Sequence, residues 1–298
     1  MPGHRPAAAF LFALAALVWP AGAAETGTGG AAARGAYLFT AAGCAGCHTD
    51  IAGKGPPLAG GRALKTPFGT FYGPNITPDP DQGIGRWSFE DFRRAMRLGL
   101  APDGSHYFPV FPYPSFTGMT DADLADLWAY MRGLAPVARP NRPHDVAFPF
   151  SWRLPMAGWK WLFFEPGPFV ADPARSPEWN RGAYLVQAVA HCGECHTPRN
   201  RLGALDRDRH LAGTASGPGG GPVPNITPDP DTGIGRWSAA DLTYMLAIGL
   251  LPDGDVVGDE MGEVVENGTS KLTDADRTAI AEYLRSVDPV RHEVPRGP

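Results

Sequence analysis

The chain carries little charge. Of its 298 residues only 19% are charged, and acids outnumber bases for a formal net charge of -5. A nucleic-acid binder needs a basic excess or stripe, so nucleic acid is excluded as a partner. Beyond the N-terminus no apolar run reaches the ~18 residues that a membrane-spanning helix requires. No strand-like alternation competes with helical spacing, and neither a Ser/His/Asp set nor a phosphate loop can be found. Cysteine is scarce, at four residues, whereas glycine and proline are abundant at 38 and 32. With 43% hydrophobic residues, this composition predicts a folded chain with real cores, many turns and long ordered loops.

The N-terminus reads as an export signal. His4 and Arg5 precede an apolar stretch from Ala7 to Val18, and Ala21-Gly22-Ala23-Ala24 supplies the small residues of a cleavage site. Residues 1–23 are therefore expected to be a signal peptide; the stretch is too short for a retained anchor. The expected location is a bacterial periplasm, free or attached to the outer face of the inner membrane.

The remainder is a tandem duplication. Asn75–Ser88 (NITPDPDQGIGRWS) and Asn225–Ser238 (NITPDPDTGIGRWS) match at thirteen of fourteen positions, 150 residues apart. Arg34-Gly35-Ala36-Tyr37-Leu38 recurs as Arg181-Gly182-Ala183-Tyr184-Leu185, and Thr120-Asp121-Ala122-Asp123 recurs as Thr273-Asp274-Ala275-Asp276. This divides the chain into a first domain at 24–137, a second at 179–298 and a linking segment at 138–178. Each domain is expected to be mostly α and wrapped in long Gly/Pro-rich loops. Helices are predicted at about 35–42 and 182–190, at 89–98 and 239–248 behind Ser88 and Ser238, and after the N-caps Thr120 and Thr273. The linking segment has eight prolines and the aromatics Trp152, Trp159, Trp161, Phe163 and Phe164. It reads as a strap packed across both domains, with a membrane or partner docking surface as the alternative.

The four cysteines form two identical patterns, Cys44-Ala45-Gly46-Cys47-His48 and Cys192-Gly193-Glu194-Cys195-His196. C-x-x-C-H is the attachment signature of a c-type haem. Residues i and i+3 share one face of a helical turn, so both thiols reach one haem edge while the adjoining histidine meets the iron. Two c-type haems are expected, bound by Cys44, Cys47, Cys192 and Cys195, with His48 and His196 as proximal ligands. A redox disulfide lacks its usual βαβ setting, and a zinc shared by the four thiols would leave both histidines unexplained.

The sixth ligands are less uniform. Met261, seven residues past Gly254 and expected in a loop, is the candidate in the second domain; Met245 reads as core. The offset of 150 puts Phe111 in the matching place of the first domain, and phenylalanine cannot bind iron. His106 is the leading candidate there and Met119 the runner-up, although Met119 also suits a hydrophobic staple. His144, Met156 and a five-coordinate haem stay open. Trp87 and Trp237 are candidate haem-packing residues. Arg86 and Arg236 either pair with haem propionates or shape the NITPDPD turn.

CxxCH followed by NITPDPDxGIGxWS, a DG turn, then FPYPSF in one half and an EMGEVV segment in the other, resembles the cytochrome c subunits of bacterial periplasmic dehydrogenases. These accompany quinoprotein alcohol or aldehyde dehydrogenases and molybdenum hydroxylases of the nicotinate or isoquinoline type. The resemblance implies a non-catalytic carrier, moving electrons from a dehydrogenase catalytic subunit towards quinone or a terminal oxidase. It also implies proximal ligation by His48 and His196 and distal ligation by Met261. Relatives often have three haems, and methionine where this chain has Phe111. A dihaem peroxidase with an open first haem is the rival reading.

Overall fold

The computed structural model describes residues 30–295; the expected signal peptide at 1–23 lies outside them. The first domain begins with α1 (Ala31–Ala41) and the single turn α2 (Cys44–His48), followed by strands β1 (Ala63–Thr66) and β2 (Gly69–Tyr72). It continues through α3 (Phe89–Leu98), the short α4 (Tyr113–Phe116) and α5 (Asp121–Arg132). The linking segment supplies β3 (Asp145–Val146) and α6 (Met156–Phe163). In the second domain α7 (Pro177–Tyr184) runs into a π-helical stretch at Leu185–Val189, followed by α8 (Gly193–His196), α9 (Ala239–Ile248), α10 (Asp259–Asn267) and α11 (Asp274–Leu284).

Local signals place α3 and α9 where the sequence predicts them. Ser88 and Ser238 close reciprocal capping boxes with Asp91 and Asp241, satisfying N-terminal N–H groups. Gly99 and Gly249 end these helices in the left-handed conformation that glycine adopts without strain. Thr120 and Thr273 cap the last helices by accepting the amides of Asp123 and Asp276. Met119, just before Thr120, is fully buried together with Leu124, as a hydrophobic staple requires.

Strands are a departure from expectation. β1, β2 and β3 form a small antiparallel sheet in that order. Its strands have four, four and two residues, too few for alternation to register in the sequence.

The repeated Arg-Gly-Ala-Tyr-Leu segment explains the helix packing. α1 crosses α5 at Gly35, where a Cβ would lie 1.9 Å from the Asp126 carbonyl oxygen; α7 crosses α11 at Gly182, 1.9 Å from that of Ala279. Only glycine permits so close an approach. The preceding arginines clamp the same crossings bidentately. Arg34 Nε and Nη2 donate to Asp126 at 2.6 and 2.9 Å, and Arg181 Nε and Nη2 to Asp276 at 2.8 and 2.7 Å. The tyrosines reach across to the other domain. Tyr37 donates to Asp276 at 2.5 Å and accepts the Thr273 amide at 3.2 Å. Tyr184 donates to Asp123 and accepts the Thr120 amide at 3.1 Å. The larger of two apolar clusters among the described residues runs through both domains, and a smaller one gathers around Tyr113, Trp159 and Ala204.

The linking segment is hydrogen-bonded to residues on either side of it in the sequence. Lys160 Nζ donates to the Gly99 carbonyl at 2.8 Å on one side, and Trp159 Nε1 to that of Leu202 at 2.9 Å on the other. Its aromatics do not all turn inward as the strap reading expects. Trp159 is buried, but Trp152 and Trp161 are 57% and 85% exposed. Their neighbours on the turn before α6 and on its outer side are solvent-facing, so no core is available to them.

Candidate haem sites

Each CxxCH segment folds into one helical turn. α2 carries Cys44 and Cys47 three residues apart and ends at His48; Cys192 caps α8, which carries Cys195 and ends at His196. The loop that follows is bound to the turn by a repeated set of contacts. Gly60 and Gly213, both at positive φ, donate their amides to the carbonyls of His48 and His196 at 2.8 and 2.7 Å. Thr49 Oγ1 accepts the amide of Leu58, and Thr197 Oγ1 that of Leu211, at 3.1 and 3.0 Å. The Leu-Ala-Gly triplets 58–60 and 211–213 are thus a second repeat that supports the site, legible in the sequence but not singled out there.

The same loops orient the histidines. His48 Nδ1 lies 2.7 Å from the Pro74 carbonyl oxygen and His196 Nδ1 2.8 Å from that of Pro224. A carbonyl only accepts, so each Nδ1 carries the proton and each Nε2 keeps a free lone pair, the tautomer of an iron-binding imidazole. Burial lowers both imidazole pKa values more than the carbonyl bonds raise them, keeping the rings neutral. Pro74 and Pro224 stand immediately before the NITPDPD strings. These strings hold their own shape through buried asparagines: Asn75 and Asn225 accept from the Thr77 and Thr227 amides at 2.9 Å each.

Desolvation pushes the Cys44 and Cys195 thiols up to about 12 and that of Cys192 to about 11. At neutral pH these thiols are protonated rather than thiolate. Among the described residues no three His, Cys, Asp or Glu side chains converge to hold a metal ion. Paired thiols on one turn with a neutral imidazole beside them fit a covalently attached haem.

The other predicted residues fall as follows. Met261 sits on α10 rather than in a loop; it is half-buried against the core. Residues 259–267 form a regular helix despite Gly262, and this helix packs on α9 and also on α2 of the first domain. Phe111 lies among the rings of Tyr107, Phe116 and Tyr113, with centroids 5.5, 5.9 and 6.4 Å away. His106 Nδ1 and Tyr113 Oη are the buried side-chain nitrogen and oxygen atoms without a hydrogen-bond partner among the described residues. Burial and Lys160 lower the His106 pKa, which favours the neutral ring. His144 Nδ1 accepts the Tyr72 amide at 3.1 Å, placing its proton on Nε2. Met119 is committed to the core, and Met156 packs against the Tyr113–Trp159 cluster. Trp87 and Trp237 pack partly buried on the core. Arg86 and Arg236 pair with Asp81 and Asp231 inside their own turns and stay largely exposed.

The two attachment turns meet at the domain interface. His191, just before the second motif, has Nε2 3.2 Å from the carbonyl of Ala42, just before the first. Ser115 of α4 donates to Glu194 at 2.8 Å, and Arg62 to Glu263 of α10 at 2.7 Å. The Cys47 thiol is close enough to Cys195 to help raise its pKa, behind the larger effect of burial.

Comparison with known proteins agrees with this geometry. The cytochrome c family profile matches residues 32–135 and 180–288. A "Diheme cytochrome c-type" protein of Cereibacter sphaeroides is 47% identical over 264 residues, covering 88% of this chain and 87% of that one. The cytochrome c subunit of a quinone alcohol dehydrogenase of Gluconacetobacter polyoxogenes is 43% identical over 269 residues, 86% of this chain and 56% of its own. A fructose dehydrogenase cytochrome subunit of Gluconobacter japonicus is 43% identical over 256 residues, 85% of this chain and 52% of its own. The chain thus spans most of the first relative and about half the length of the dehydrogenase subunits. These relatives are cytochromes, not the catalytic subunits of dehydrogenases. With both halves matched and both CxxCH turns formed, the chain belongs to the cytochrome c family.

Proposed function

We propose that this protein is an exported, periplasmic dihaem carrier. It takes electrons from a dehydrogenase catalytic subunit and delivers them towards quinone or a terminal oxidase. The observation that carries this reading is the duplicated histidine arrangement, each ring held by a proline carbonyl with Nε2 free, at two turns that meet across the domain interface. A c-type haem supplies one-electron iron chemistry, and the protein tunes it through ligation and burial. Cys44, Cys47, Cys192 and Cys195 tether the two groups, and His48 and His196 are their proximal ligands. Met261 would join His196 in holding the iron of the second.

For the first haem, His106 is the residue that would join His48 in holding the iron. Its Nδ1 is buried without a partner, and a buried polar atom left unpaired points to a group that completes it. Met119 is occupied as a staple and His144 carries its proton on the free nitrogen. Unlike ligand pairs give the two haems different potentials and so set a direction of flow.

Haem counting and a spectroelectrochemical titration of the haem-loaded chain test the reading. Two haems per chain and two separate one-electron steps are expected. One haem, or rapid turnover of added peroxide, contradicts it.

A further inference from the structure

The segments after α5 and α11 close on the two NITPDPD strings in the same register. Val137 donates its amide to Thr77 Oγ1 at 3.1 Å, and its carbonyl accepts Asn75 Nδ2 at 2.8 Å. Val290 makes the same two bonds with Thr227 and Asn225, at 3.1 and 2.8 Å. Gly60 and Gly213 approach the amide nitrogens of Asn75 and Asn225 equally closely, since a Cβ on either would lie 2.6 Å away. Counting four residues on from each valine pairs Asn141 with Val294.

At this position the copies differ. Asn141 Oδ1 accepts the Asn75 amide at 2.7 Å. Asn141 Nδ2 donates to the Gln82 carbonyl at 3.0 Å; a carbonyl only accepts, which fixes the orientation of the side-chain amide. The Asn75 N–H belongs to the same peptide unit as the Pro74 carbonyl, which accepts the His48 proton. A continuous chain of hydrogen bonds thus runs from His48 Nδ1–H through that peptide to Asn141. In the second copy the Pro224 carbonyl meets His196 in the same way. There the Asn225 N–H has no acceptor among the described residues, and the valine side chain of Val294 offers none.

We propose that Asn141 is a positioning residue that lowers the potential of the first haem through His48, and that Val294 leaves the second haem without this input. This role rests on the carrier reading of the molecule. Hydrogen bonds in series polarise one another. Drawing the Asn75 N–H towards Oδ1 builds negative charge on the Pro74 oxygen, which then pulls harder on the His48 proton. The imidazole becomes a more basic ligand, and a more basic ligand favours ferric over ferrous iron.

Spectroelectrochemical titration of the full haem-loaded chain tests this, beside Asn141→Val and Asn141→Asp. Both variants lose the bond to Gln82, but only Asn141→Asp keeps an acceptor for the Asn75 amide. High salt screens the charge that the aspartate adds. In Asn141→Val one step should rise by about 18 mV, a twofold change in its reduction equilibrium at ~59 mV per tenfold, while the other stays in place. In Asn141→Asp that step should lie at or below its parent value. Exchange of the Asn75 amide, followed by NMR, should quicken in Asn141→Val and not in Asn141→Asp. Two parent steps with no shift in Asn141→Val overturn the proposal and leave the carrier reading standing; fewer than two parent steps overturn both. An upward shift of equal size in both variants, or loss of a haem from Asn141→Val, would make Asn141 a brace for the loop and also overturn the proposal.

Discussion

A histidine gives iron a lone pair only if its other nitrogen keeps the ring proton, and a fixed acceptor makes that state permanent. Here the acceptors are the backbone carbonyls of Pro74 and Pro224. The CxxCH residues were legible because their side chains do the chemistry. The two prolines were not, because a carbonyl acceptor has no side-chain signature. Gly73 tests the arrangement, since a Cβ there would lie 1.9 Å from the Cys47 carbonyl oxygen. Gly73→Val should push the loop off the first turn and lower haem content from two per chain towards one, as measured by pyridine haemochromogen. Asp276 makes a second prediction at this scale. Burial works to raise its pKa, but the bonds from Arg181 and Tyr37 win and hold it below the ordinary carboxylate value of 3.8. A lowered folded-state pKa means that this stabilisation is complete above pH ~4 and is lost as pH falls through the folded value. Asp276→Asn should cost about 1–3 kcal/mol in urea unfolding at pH 7, and the gap from the parent should shrink as the medium is acidified.

Helix ends written in side chains were readable in advance at four places, but Ser176, which caps α7 at Pro177, was not among them. That helix was expected only from about 182 to 190, where the structure has the last turn of α7 and the π-helical stretch Leu185–Val189. Ser88, Ser238, Thr120 and Thr273 all cap where expected. Ser88→Ala or Ser238→Ala should each cost about 1 kcal/mol of stability. α1, which has no side-chain cap, was still expected from its spacing, but other elements without such marks escaped notice. α10 begins at Gly258 with no side-chain cap, α6 follows Pro155 with none, and the hairpin strands are too short to show a period. Packing between helices was half-legible: the Arg-Gly-Ala-Tyr-Leu repeat was visible, but its purpose was not. The 1.9 Å clearances at Gly35 and Gly182 supply that purpose. Gly35→Ala or Gly182→Ala should destabilise by at least about 1–3 kcal/mol through overpacking. Thermal melting of each variant checks this, with a lower midpoint expected for both.

At the scale of the whole molecule the two domains are joined by an exchange: each first helix sends a tyrosine to the cap of the other domain's last helix. This was beyond the reach of sequence reading, because a duplication shows what repeats and not how the copies face one another. The exchange holds the two CxxCH turns against a common interface, the arrangement a two-centre carrier needs. Tyr37→Phe with Tyr184→Phe should cost about 1–3 kcal/mol in total. It should also separate the unfolding of the two domains, followed by haem absorbance and by far-ultraviolet circular dichroism in the same urea titration. The central claim is a closed dihaem carrier whose first iron is ligated by His48 and His106. Low-temperature EPR of the oxidised, haem-loaded chain, with and without His106→Ala, tests it most directly. The account predicts two low-spin ferric signals in the parent chain, one of which becomes high-spin when His106 is removed. A high-spin signal already present in the parent and shifted by peroxide or cyanide, or two low-spin signals untouched by His106→Ala, would contradict it.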